Sequence, residues 1–227
     1  GLEQWCRLEY RHICKIVPPE RVLFLHFPPE VDTTVLAPED GAGVLPHTAA
    51  QSLEEMRGLS SEEASSVAVA GLLPSWDRVC LLDMEAEEAL EPADAARFDA
   101  FVFGGILGNV VERPDGSYGS DDRTSEVRRL GFQNRRHLGP MQMTTDTAVL
   151  VSQLVLEEAR PLAEIPFLDS PEMGGSEEAG GASDCVCMEG FRYVARRDKN
   201  GEWEPTLPEG MFELLTTSAD NDILDSL

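Results

Sequence analysis

The stretch Asn134–Arg160, "NRRHLGPMQMTTDTAVLVSQLVLEEAR", decides how the chain folds. "NRRHL" reads as a short strand and "LGPMQMTTDT" as the loop after it. Ala148, Val151 and Val155 then recur at helical spacing, which predicts a helix from Thr144 to about Arg160, stopped by Pro161. Three threonines and an aspartate crowd the helix start between Thr144 and Ala148. They serve either as N-caps or as a ligand loop, because the first N–H groups of a helix, here Met143 to Thr147, are unpaired and point outward. Hydroxyls on Thr144, Thr145 and Thr147 suit a ribose or a carboxylate. Asp146 is read as complementing the helix dipole rather than as a catalytic group.

Upstream, the same alternation repeats. "GLEQWCRLEYRHICKIV" (1–17) predicts a helix, and "RVLFLHF" (Arg21–Phe27) a buried strand. "RVCLLD" (Arg78–Asp83) is a second strand, "EPADAARF" (Glu91–Phe98) a short helix with Pro92 in its first turn, and "DAFVFGG" (Asp99–Gly105) a third strand. "DDRTSEVRRL" (Asp121–Leu130) is a further helix. Strands separated by helices predict an α/β fold, a mostly parallel sheet with helices on both faces. Residues 30–66 are expected as an irregular loop region with one short helix. After Pro161 the pattern weakens: 172–190 is expected as an acidic Gly/Ser-rich loop. A hairpin is expected around Lys199-Asn200-Gly201, and 216–227 as a disordered tail. One domain is expected over 1–215.

Composition narrows the partners. Forty-two Asp and Glu against eighteen Lys and Arg leave a formal net charge of -24. Such a surface repels phosphate backbones, whose binding depends on cations, and attracts a basic partner. Five cysteines without disulfide spacing, none near His12, His26, His47 or His137, argue against a zinc site and for reduced thiols in the cytoplasm. No apolar run approaches membrane-spanning length, and no signal-peptide pattern opens the given chain.

In an open parallel sheet, ligands collect beyond the carboxyl ends of the strands. "LLDMEA", "GGILG" and "LGPMQMTTDT" each follow a strand. Gly104, Gly105 and Gly108 do not match the dinucleotide spacing G-x-G-x-x-G, and no G-K-[ST] is present. They read either as simple turns or as a backbone stripped of side chains, against which a flat ligand can press.

In this order, "RVCLLD", "FDAFVFGGILG", "DRTSEVRRL", "RRHLGPMQMTTDTAV", "FRYV" and "LPEGM" closely resemble the fungal protein arginine methyltransferases of the SPOUT (α/β-knot) superfamily. The resemblance implies a sheet whose C-terminal part is threaded into a trefoil knot. It also implies S-adenosylmethionine as cofactor, S-adenosylhomocysteine as product, and monomethylation of an arginine on a basic small-subunit ribosomal protein. Carried over by position, the cofactor-binding residues are Leu82, Asp83 and Met84; Phe103, Gly104, Gly105, Ile106, Leu107 and Gly108; and Leu138, Gly139, Gln142, Met143, Thr144 and Thr145. Two departures stand out. Asn109 and the lengthened "VVERPDGSYGSD" replace the family's shorter passage into "DRT", which bears on substrate contacts. The family's opening strand is also missing from the chain as given.

Methyl transfer requires alignment and a dry pocket, and no metal is expected. The acceptor is harder, since an arginine side chain stays protonated in proteins. A carboxylate must orient it and take up its proton. Asp122 and Glu126, one helical turn apart, are the candidates, although a solvated helix start explains them equally well. Arg123 is positioned either for the cofactor carboxylate or for a surface pair. Arg128, Arg129, Arg135 and Arg136 are the one basic cluster near the cleft. A protein acceptor, a monomer and no direct nucleic-acid contact are therefore expected. An RNA methyltransferase on the same fold, or an acidic non-catalytic adaptor for ribosomal proteins, are the competing readings.

Overall fold

Helix α1 (Gln4–Ile16) buries Leu8, Ile13 and Cys14, and with them the carboxylate residue Glu9. This element belongs to a computed structural model that describes residues 4–37, 43–58, 74–104, 110–112, 118–120, 124–173 and 186–216. Proline cannot continue a helix, and the chain passes Pro18 into a 3-10 turn at Pro19–Arg21. That turn, with a left-handed φ of 53° at His26, cuts the expected strand Arg21–Phe27 down to β1 (Leu23–Phe24). It pairs in parallel with β2 (His47–Thr48).

Of the region 30–66, residues 30–37 and 43–58 are described, and they hold the one short helix expected there, with a 3-10 turn and a short strand besides. A 3-10 turn at Thr33–Leu36 is capped by the Asp32 side chain, which accepts from the Thr34 N–H. Helix α2 (Leu53–Gly58) begins with a capping box, in which Ser52 and Glu55 satisfy each other's backbone N–H groups.

The central sheet comprises β3 (Val79–Leu82), buried at every position, and β4 (Ala100–Val102) on one side of it. Between them, Pro92–Ala96 forms a 3-10 helix where an α-helix was expected. Strands β5 (Val110–Glu112) and β6 (Tyr118–Ser120) make an antiparallel ribbon inside the lengthened loop. Helix α3 (Thr124–Arg128) ends two residues before the expected Leu130, and its expected first residues 121–123 lie outside the described ones. Strand β7 (Asn134–Arg136) flanks β3 on the side opposite β4, and all three run parallel.

Helix α4 (Thr145–Leu156) follows, with Thr144 at its N-cap. It ends four residues earlier than expected, as the chain turns through a left-handed Ala159 (φ 54°) ahead of Pro161. The main core lies between this helix and the sheet: Leu82, Leu90, Val151, Leu154, Val155, Ile165 and Val194 are buried together. Seven such side chains removed from water, at roughly 2 kcal/mol each, supply the largest stabilising contribution in this half of the molecule.

The parallel expectation holds for the central strands. The C-terminal part instead builds an antiparallel sheet. Strand β8 (Phe167–Asp169) is followed by β9 (Glu172–Met173) and β10 (Val186–Cys187), which pair with each other in antiparallel fashion. Strand β11 (Arg192–Arg197) lies between β8 and β12 (Trp203–Pro205), antiparallel to both. The expected hairpin is therefore present, its turn closed by the Asp198 carboxylate, which accepts from the N–H groups of Asn200 and Glu202. Residues 174–185, the bulk of the expected acidic loop, and 217–227 of the tail lie outside the described residues.

Candidate active site

Parallel strands β4, β3 and β7 end side by side, so the segments following them meet at one edge of the sheet. Leu82, Asp83 and Met84 leave β3; Phe103 and Gly104 leave β4; Leu138 to Thr145 leave β7. Gly105, Ile106, Leu107 and Gly108 lie outside the described residues, as do Asp122 and Arg123. The junction itself is described. The Thr145 hydroxyl at the start of α4 donates to the Gly104 carbonyl at 2.9 Å. A Cβ on Gly104 would sit 3.3 Å from the Thr124 hydroxyl of α3, so the Thr124 side chain would have to give by a few tenths of an ångström.

The other members split into floor and rim. Leu82 is buried in the main core, and Phe103, Leu138 and Met143 pack against that core while remaining partly exposed. Met84 is 47% exposed at the rim. Gly139 has φ +116°, which side-chain-bearing residues rarely adopt, and donates its N–H to His137 Nδ1 at 3.1 Å. Gln142 bridges to Phe191, and its carbonyl accepts from the Arg192 N–H at 2.8 Å, pinning the loop to β11. Thr144 donates to the Thr147 hydroxyl at 2.8 Å. These threonines are buried, so Thr144 and Thr147 are engaged with each other rather than projecting as a hydroxyl row.

Asp83 serves the site through its neighbours. It is 3% exposed and accepts from Arg128 Nε and Nη2 at 2.7 and 2.6 Å, from Arg135 Nη1 at 2.9 Å and from the Glu85 N–H at 3.1 Å. Burial alone would raise its pKa, but these bonds hold it below the ordinary carboxylate range. Two of the four cleft arginines are thereby tied down. Arg136 is likewise paired with buried Asp94, at 2.9 and 3.1 Å. Glu126 is exposed on α3.

A second group of ionisable residues lies at the same helix start; of these the sequence reading placed only Asp146 there, and Glu9 and Tyr193 went unremarked. Asp146 is 1% exposed, and its Oδ2 lies 2.7 Å from His12 Nδ1 of α1. Its Oδ1 is buried without a hydrogen-bond partner. Glu9, one helical turn before His12, is 2% exposed and accepts from the Trp5 indole N–H at 2.6 Å. Burial, then the charge of Asp146, push the Glu9 pKa up to about 8. Tyr193 of β11 is 1% exposed, and burial with the same two carboxylates drives its hydroxyl pKa far upward. Asp146 stands in the first turn of α4, where the dipole reading put it, and is in addition a buried partner of α1. A signal was present: Glu9 stands four residues after Trp5 and four before Ile13, an acid on the apolar stripe of a helix.

A parallel sheet whose strand ends meet a helix N-terminus, joined here by the Thr145 to Gly104 bond, defines an α/β protein of the class that collects ligands at its strand ends. The chain matches the family model of SFM1-like protein arginine N-methyltransferases over residues 1–222, and it belongs to that family. It is 34% identical over 230 residues to protein arginine N-methyltransferase SFM1 of Saccharomyces cerevisiae, a match spanning 100% of this chain and 95% of the yeast protein. Among solved structures it is similar to yeast SFM1 complexed with SAM, at TM-score 0.71 and 32% identity, covering 96% of this chain and 86% of that one. The complex with SAH superposes at TM-score 0.70 and 32% identity, covering 95% and 90%.

Proposed function

We propose that this chain transfers a methyl group from S-adenosylmethionine to an arginine side chain of a basic protein, a component of the small ribosomal subunit. The observation that carries this reading is the junction at Gly104 and Thr145, where the chain leaving β4, the start of α4 and an apolar floor meet at the strand ends. The residues fit the cofactor. A Cβ at Gly104 would crowd the junction, Phe103, Leu138 and Met143 offer apolar surface to a flat base, and the first N–H groups of α4 offer donors to polar groups. Leu82 to Met84, Phe103 to Gly108 and Leu138 to Thr145 would hold it. When bound, its sulfonium supplies an activated methyl group.

The protein orients two partners and excludes water; effective molarity from such alignment lowers a barrier by as much as about 7–11 kcal/mol. Asp83, locked to Arg128 and Arg135, keeps β3, α3 and β7 in register beneath the cleft. Glu126 of α3, with Asp122 and Arg123 just before that helix in the sequence, are the candidate groups for the acceptor. A protein acceptor is favoured over RNA by the net charge of -24 and by the engagement of Arg128, Arg135 and Arg136 with internal carboxylates, which leaves little cation for phosphate. The same charge opposes self-association and supports a monomer.

Further parts of the reading are a single domain over 1–215 with 216–227 as a tail, a cytoplasmic location, and a chain threaded through a trefoil knot near α4. Cys6, Cys14, Cys80 and Cys187 stand as thiols rather than in disulfides, which suits a reducing compartment. Among the described residues no helix is long and apolar enough to cross a membrane.

The test is twofold. Calorimetric titration with S-adenosylhomocysteine is expected to show binding in the micromolar range. Mass spectrometry of the basic small-subunit proteins, after incubation with enzyme and labelled donor, is expected to show one arginine gaining a single methyl group. Label appearing only in RNA, or no binding at high micromolar ligand, would overturn the reading.

A further inference from the structure

We propose that Arg192 of β11 is the positioning residue of the third cofactor segment: its guanidinium, fixed in direction by Asp169 and Phe167, holds the Gly139 turn in the shape that receives the donor. This rests on the methyltransferase reading above and adds to it a side chain of the C-terminal antiparallel sheet, outside the three segments that follow the parallel strands.

Phe167 and Asp169 alternate on β8 and so share one face of it, and Arg192 stands opposite Asp169 in the β8–β11 ladder. Arg192 Nε donates to Asp169 Oδ1 at 2.6 Å and Nη2 to Oδ2 at 2.8 Å, a bidentate pairing that sets the direction of the planar fork as well as its position. The guanidinium also lies over the Phe167 ring, 4.9 Å from its centre, and Phe167 packs against the main core. With Nε and Nη2 committed to Asp169, Nη1 is the nitrogen turned to the loop after β7: a Cβ built on Gly139 would meet it at 3.5 Å, ordinary van der Waals contact.

That loop needs an outside support. Residues 138–141, between the bridges at His137 and Gln142, belong to no helix or strand. Gly139 holds a φ of +116° there, with its N–H donated to His137 Nδ1. Arg192 touches the loop at both ends, through its side chain at Gly139 and through its backbone N–H, which donates to the Gln142 carbonyl at 2.8 Å. The antiparallel sheet itself does not depend on the ion pair, since Tyr193 and Val194 of β11 are buried beside it. The Asp169 side chain is 48% exposed and that of Arg192 20%, and a pair so open to water contributes little to stability. What the pair fixes is the direction of a guanidinium, and through it the resting shape of the loop. A loop ordered before its ligand arrives saves the cost of ordering it on binding. If the receptive shape falls to about a tenth of the population, apparent affinity falls about 10-fold. Because its charge is matched by Asp169, Arg192 acts as a shaped brace and not as a binding site for the donor's carboxylate.

The experiment uses the full chain and two probes, S-adenosylhomocysteine and 5′-methylthioadenosine, which share the adenosine and the thioether while only the first carries an amino-acid carboxylate. Arg192→Met keeps much of the stem and removes the guanidinium. Calorimetry is expected to show both probes weakened by the same factor, about 10-fold. The melting temperature is expected to stay within about 3 °C of wild type. Arg192→Lys keeps the charge without the fork and is expected to behave like Arg192→Met. Asp169→Asn leaves the cation but loosens its direction, and its affinities are expected between those of wild type and Arg192→Met. Loss confined to S-adenosylhomocysteine overturns the inference in favour of a direct carboxylate contact. Affinities kept by Arg192→Met, full rescue by Arg192→Lys, or affinity lost only together with a large fall in melting temperature overturn it as well. If wild type binds neither probe, the methyltransferase reading fails instead.

Discussion

Arg128 grips both carboxylate oxygens of Asp83, at 2.7 and 2.6 Å, and so fastens α3 to the carboxyl end of β3. Arg135 reaches the same carboxylate from the neighbouring strand β7. One buried acid thereby sets the spacing of two of the three segments that form the cleft.

Replacing Asp83 by Ala leaves two arginines facing a hole and is expected to cost about 3 kcal/mol of unfolding free energy. Urea denaturation at pH 7 measures it. The pH dependence has a definite sign. The folded pKa lies below the unfolded value of 3.8, so the stabilisation is fully present above pH 3.8 and disappears as the pH falls through the folded value. A wild-type acid limb missing from Asp83→Ala is the expected difference, and parallel acid limbs in the two proteins would contradict it.

Glu9 has the opposite sign. Its folded pKa of about 8 exceeds the ordinary glutamate value of 4.5, so the folded state keeps a proton that the unfolded chain releases. Stability is therefore lost as pH rises between those values, by at most about 5 kcal/mol at 1.36 kcal/mol per pKa unit. Glu9→Gln is expected to remove that alkaline loss. Melting temperatures at pH 5 and pH 9 should converge in the variant and diverge in wild type.

Thr145→Val keeps the shape of the helix start but removes the 2.9 Å bond to the Gly104 carbonyl. The loss of one such bond costs about 1 kcal/mol. Because the freed carbonyl lies in the cleft, S-adenosylhomocysteine affinity should fall by about 5- to 10-fold, measured by calorimetry. Affinity within 2-fold of wild type would reduce Thr145 to a helix starter.

Gly139→Ala places a side chain at φ +116°, with its Cβ 3.5 Å from the Arg192 guanidinium. The room is adequate; the backbone angle is the obstacle, and the strain is expected at about 1–3 kcal/mol. Thermal unfolding reads the cost, and a variant as stable as wild type would show that the loop relaxes freely.

Much of the cleft could be read in one dimension. A strand end, a glycine pair and a threonine-rich helix start are local features, each within a dozen residues, and the rule that ligands gather at parallel strand ends joins them. Residue burial could not be read that way. Asp83 gave no sign in the chain of the arginines 45 and 52 residues away that saturate it. Nor did the "RVLFLHF" run disclose the Pro19 turn and the His26 backbone that leave only two residues of strand.

By itself the amino-acid sequence determined the parallel α/β core and the local character of the segments that follow its strands, since periodicity and turn chemistry are local. Only tertiary structure decided that Glu9 and Asp146, separated by most of the chain, lie buried within each other's field. A carboxylate's pKa and its open hydrogen-bonding positions depend on which groups crowd it in space, and contacts between α1 and α4 leave no mark on the order of residues between them.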